Sequence, residues 1–157
     1  MTRDDPPLCP SARGKPGATL IGISAGPGAL GYVTPAVTVD EQFLAAAGDN
    51  PEERFRFASR CHESGCHNWG EDRCQLIHQI MSRHPTDEEP GDLPACGIRS
   101  SCRWFAQAGR EACRVCPVVR NPGADHDTLL RTALRPARPA ATATDPSQLQ
   151  RSGTPVP

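Results

Sequence analysis

Residues 96–116 read CGIRSSCRWFAQAGREACRVC, a stretch that places Cys96, Cys102, Cys113 and Cys116 within 21 residues, among four arginines and one glutamate. Thiols at this density pair in disulfides, react with a substrate or coordinate a metal, and the choice decides what kind of domain the chain can form. The spacing is C-x5-C-x10-C-x2-C. Two residues between Cys113 and Cys116 let neighbouring thiolates share one centre, and four cysteines are enough for a closed ligand set. Ser100 or Ser101 can cap a short helix through Cys102, Arg103, Trp104 and Phe105, with Gly109 as its stop. Cys102 then sits at a positive helix terminus, which favours the thiolate that a metal requires.

A second group lies upstream in CHESGCHNWGEDRCQLIHQI, residues 61–80, where Cys61, Cys66 and Cys74 are separated by four and seven residues. Asp72 can cap a helix that carries Leu76, Ile77, Ile80 and Met81 on one apolar stripe and Cys74 in its first turn. Three thiols leave a four-ligand set incomplete. His62 and His67 each follow a cysteine directly, and His78 lies four residues after Cys74 on the same helical face, so one of these histidines, a water or a partner's ligand is expected as the fourth. The two groups echo each other: a cysteine pair four or five residues apart, a tryptophan two or three positions later (Trp69, Trp104), then further cysteine. This suggests a degenerate duplication with the indole as an apolar lid, or one shared binuclear centre.

Seven of the eight cysteines lie between residues 61 and 116; Cys9 stands alone about 50 residues upstream in a proline-rich stretch and is read as outside both ligand sets. The 157 residues include 17 prolines and 14 glycines, with 4% aromatic and 37% hydrophobic residues, which fits one small core with irregular flanks. The net charge of −1 and the single lysine, Lys15, give no pull toward nucleic acid. The first 30 residues show no basic segment followed by a continuous apolar run, and no stretch approaches the roughly 18 apolar residues of a membrane span. A reducing cytoplasm is therefore the expected compartment, and it disfavours disulfides.

Composition divides the chain into a disordered leader (1–17), a β-hairpin with helices (18–60), the cysteine-rich metal or cluster-binding region (61–120) and a mostly disordered Pro/Ala/Ser/Thr tail (121–157), with a short helix possible over 127–134. ATLIGIS and GYVTPAVTV are β-branched runs on either side of AGPGAL and read as two strands joined by a glycine-rich turn. That turn contains Gly26-x-Gly28-x-x-Gly31, formally a dinucleotide-binding fingerprint. A phosphate site would need a helix opening at the third glycine, and Tyr32-Val33-Thr34-Pro35 follows instead. Asp40 caps a helix over EQFLAAA with Gly48 as its stop, and Asn50-Pro51-Glu52-Glu53 reads as the start of another carrying Phe55 and Ala58.

The fold expected from these features is a small α-rich, metal-stabilised cysteine-rich domain with a short N-terminal β-hairpin and disordered termini. Zinc usually announces itself with two short cysteine knuckles, and here only Cys113-x2-Cys116 is one. Iron–sulfur clusters accept uneven spacing, and a cysteine followed by proline, as in Cys116-Pro117, recurs at the end of ferredoxin-type motifs. A 4Fe–4S cluster on Cys96, Cys102, Cys113 and Cys116 is the expected cofactor, with zinc as the alternative. The corresponding roles are an electron-transfer or redox-sensing accessory to a protein partner, or a zinc-stapled interaction module without catalytic activity. Neither role involves nucleic acid or a membrane.

Overall fold

The computed structural model describes residues 6–85, 87 and 91–119; the helix at 127–134 and the tail expected from 121 lie outside the described residues. The fold is mixed rather than α-rich. Its centre is a four-stranded antiparallel sheet of β1 (Leu8–Ala12), β2 (Thr19–Ser24), β3 (Leu30–Thr38) and β4 (Phe55–Arg60) in the order β1-β4-β2-β3. A two-stranded ribbon, β5 (Trp69–Gly70) with β6 (Arg73–Cys74), and three helices, α1 (Glu41–Ala47), α2 (Gln75–Arg83) and α3 (Arg103–Val115), complete it.

The hairpin of β2 and β3 follows from its turn chemistry: Ala25 N–H bonds the Ala29 carbonyl across a turn in which Gly26 and Gly28 take positive φ. α1 is equally local. The Asp40 carboxylate accepts the Phe43 N–H at 2.8 Å, and Gly48, at φ +88°, ends the helix.

Two expectations fail, and their failure builds the sheet. The stretch after Asn50-Pro51 forms a single 3-10 turn, Pro51–Glu53, and then the chain extends as β4. The capping signal is real but lasts one turn, because the alternation in FRFASR suits a strand and β4 gains a ladder on each side, with β2 and with β1. The part of the leader at Leu8–Ala12 is likewise a strand. β1 pairs Leu8 with Arg60 and Cys9 with Ser59, and the Cys61 N–H donates to the Pro7 carbonyl at 2.8 Å. As an edge strand, β1 tolerates Pro10, which cannot donate to a ladder.

Period two along the strands gives the sheet two different faces. On one, Phe57 (0% exposed) packs with Leu20, Ala18 and Val39 under Phe43 and Leu44 of α1. The Phe43 ring meets Phe55 edge-on at 5.1 Å and Phe57 at 6.4 Å. On the other, Ile21 and Ala58 pack with Ile98, Leu8, Cys96 and Cys102. α2 and α3 share a third cluster in which Ile77, Trp104, Ala112 and Val115 surround Cys74 and Cys116. As expected, Gly109, at φ 59°, interrupts the helix that begins at Arg103; beyond this kink a second helical run continues to Val115.

Phe57→Ala should cost about 3–5 kcal/mol, the usual range for emptying a buried aromatic site. Chemical denaturation should show the midpoint falling accordingly, and an unchanged midpoint would place the core elsewhere.

Candidate metal centre

Cys96, Cys102, Cys113 and Cys116 come together. All four line one cleft that is partly open to solvent. Cys96 arrives on the loop before the 3-10 turn Arg99–Ser101, Cys102 is the N-cap of α3, Cys113 lies in its last turns and Cys116 directly follows it. The cap is cysteine itself, not Ser100 or Ser101, yet the expected position at the positive end of the helix holds. Gly97 lets the Cys96 loop reach the sheet, since a Cβ there would stand 2.5 Å from the Ala36 backbone nitrogen in β3.

Pro10, Ile21, Ile98, Trp104, Phe105 and Ala112 make the remaining wall largely apolar, while Tyr32 and Arg99 bring polar groups to it. Burial pushes the Cys102 thiol up to about 12, although the Phe105 and Trp104 backbone amides draw it down. Burial also raises Cys113, opposed by the Arg99 guanidinium, and raises Cys116, opposed by Arg56 and by a hydrogen bond from the Tyr32 hydroxyl. Arg56 is 6% exposed and donates to the carbonyls of Pro10 and Cys116, both at 3.3 Å. Two buried N–H groups of the lining residues, Trp104 Nε1 and Arg99 Nε, have no hydrogen-bond partner among the described residues. A buried donor left unpaired costs roughly 1–3 kcal/mol, so both are suited to a group in the cleft that carries acceptors.

The group of Cys61, Cys66 and Cys74 is arranged differently from its expectation. Cys61 follows β4; the 3-10 turn Glu63–Gly65 then brings the chain round to Cys66, whose carbonyl accepts the Trp69 N–H at 2.9 Å. Trp69 pairs with Cys74 across the β5–β6 ribbon. Asp72 sits in the ribbon's turn at φ 56°, and Cys74, not Asp72, is the N-cap of α2. Gln107 of α3 holds Cys74 by both backbone groups: its Oε1 accepts the N–H at 2.9 Å and its Nε2 donates to the carbonyl at 2.8 Å. Arg103 crosses from α3 to stack over Trp69 at 5.0 Å and to pair with Glu63.

His62 and His67 are exposed, whereas Cys61 and Cys66 are half-buried and Cys74 is buried. His78 is half-buried, with its Nε2 unpartnered among the described residues. Cys9 does not stand apart. Burial pushes its thiol up to about 11, and the Cys61, Cys74 and Cys66 thiols add to the rise. All eight cysteines are free, and among the described residues no three Cys, His, Asp or Glu side chains stand where a single metal ion could be held. The thiols of Cys96, Cys102, Cys113 and Cys116 line the walls of a space instead.

Sequence reasoning missed Cys9, Tyr32 and Arg56. The available signal was alternation: Leu8-Cys9-Pro10 and Arg56-Phe57-Ala58 each send neighbours to opposite faces. Among the described residues no helix is long and apolar enough to cross a membrane. The chain matches no known protein family, no curated protein and no solved structure.

Folded-state thiol pKa values of about 11 for Cys9 and about 12 for Cys102, against an ordinary 9.0, give a signed pH dependence for the reduced, metal-free chain. Their contribution to stability is complete below pH 9 and is lost as pH rises toward 11–12, because the unfolded chain ionises first. The melting temperature should fall over that window, and the fall should shrink in Cys102→Ser; an equal fall in the variant would assign it to other groups.

Proposed function

We propose that this chain is a small iron–sulfur protein whose cluster is held by Cys96, Cys102, Cys113 and Cys116, and that it serves a partner protein in electron transfer or redox sensing. The observation carrying this reading is the cleft itself: four thiols from a loop, a helix N-terminus and the end of the same helix on one largely apolar wall. A single zinc ion needs its thiolate sulfurs about 2.3 Å away and so drawn to one point, while a cluster has bulk of its own and accepts ligands around a cavity. The chemistry such a cluster would supply is one-electron exchange with a redox partner.

The chain's own residues have separable tasks. Helix α3 fixes Cys102 and Cys113 at its two ends, and the Cys102 sulfur faces the Trp104 and Phe105 amides. Arg56, Arg99 and Tyr32 favour ionised thiols at Cys116 and Cys113 and offset their negative charge. Trp104, 1% exposed, and Ile98 keep water from the inner wall. Cys96 and Cys113 are half-buried, which leaves that edge within reach of a docking protein.

Protein purified without oxygen should be brown and contain iron and acid-labile sulfide, and Cys102→Ser should lower both. Colourless protein containing zinc, or iron content unaffected by Cys102→Ser, would reject the reading.

A further inference from the structure

Strand β1 presents its alternate residues to different surroundings. Leu8 and Pro10 turn to the face that carries the cleft: Leu8 packs with Ile98 and Cys102, its backbone bridges that of Cys102, and Pro10 lines the cavity. Cys9 turns to the opposite face. There the register puts Cys9 across from Ser59, and the Cys61 N–H bond to Pro7 continues the ladder by one pair. Pro7, Cys9, Ser59 and Cys61 therefore share one face, with Cys9 and Cys61 as diagonal neighbours, a relation that brings side chains within roughly 7 Å. Trp69 links the other two: its N–H donates to the Cys66 carbonyl and it pairs with Cys74 across the β5–β6 ribbon.

We propose that Cys9, Cys61, Cys66 and Cys74 form a second four-thiolate iron–sulfur site. This rests on the cluster reading of the first site. The fourth ligand is a cysteine supplied by the sheet, not a histidine from the cysteine-rich segment. The influence of Cys61, Cys74 and Cys66 on the Cys9 thiol agrees with such a grouping, as do the outward placements of His62 and His67. Cys74 occupies the N-cap of α2 as Cys102 does that of α3, so each site takes one sulfur from a helix N-terminus. Through Gln107, α3 also fixes the Cys74 backbone of the second site.

The test is anaerobic reconstitution of the full chain with ferrous iron and sulfide, followed by iron and sulfide analysis per chain. Cys9→Ser should lose half of each, and so should Cys66→Ser, a substitution in a half-buried loop that leaves the sheet intact. Cys116→Ser should lose the other half, and His78→Ala should lose nothing. Full iron in Cys9→Ser with half in His78→Ala would overturn the proposal in favour of a histidine ligand and leave the first site standing. Loss of all iron in both Cys9→Ser and Cys66→Ser would mean one shared centre and would equally overturn it. An unmodified chain that takes up no iron would instead reject the cluster reading on which the proposal rests.

Discussion

A buried guanidinium holds the two halves of this molecule together. Arg56 sits in β4, an inner strand, donates to the Pro10 carbonyl of the edge strand and to the Cys116 carbonyl just after α3, and is 6% exposed. Taking a charge out of water costs several kcal/mol unless hydrogen bonds and opposite charge compensate it. The carbonyls supply the first, and an ionised Cys116 beside it would supply the second. The sheet and the cysteine-bearing helix thus share a contact that improves when the thiol gives up its proton. That couples the packing of the fold to the ionisation of a candidate ligand.

The two cysteine groups are joined through α3 in more than one place. Its N-cap is Cys102, its Gln107 clamps Cys74, its Arg103 reaches Trp69 and Glu63, and its Trp104 sits in the cluster that surrounds both Cys74 and Cys116. A displacement of this helix would be felt at both groups. The break at Gly109 divides it between Gln107, which serves one group, and Cys113, which serves the other.

Local chemistry was legible in the sequence and long-range pairing was not. Asp40 and Gly48 bound α1, and the glycines of residues 26–28 turn β2 into β3, because each of these structures is decided within a few residues. The grouping of Cys96, Cys102, Cys113 and Cys116 was legible for a similar reason, its members being close in sequence and disposed on α3 and the segments that adjoin it. β4 was hidden behind Asn50-Pro51-Glu52-Glu53, a helix-start signal that yields only one turn before strand pairing prevails. Cys9 was hidden because its surroundings are set by a ladder to Ser59 and Cys61, and prolines on either side of it resemble a loop until the strand is seen to lie at the sheet edge.

The chain order of β1 bears on how the protein comes into being. Its first strand leaves the ribosome about 50 residues before the strand it pairs with, and its bridge to Cys102 waits for about 40 more. A nascent chain therefore carries Cys9 without its partner strand for about 50 residues of synthesis, and the wall of the cleft to which Pro10 contributes closes only when α3 has formed.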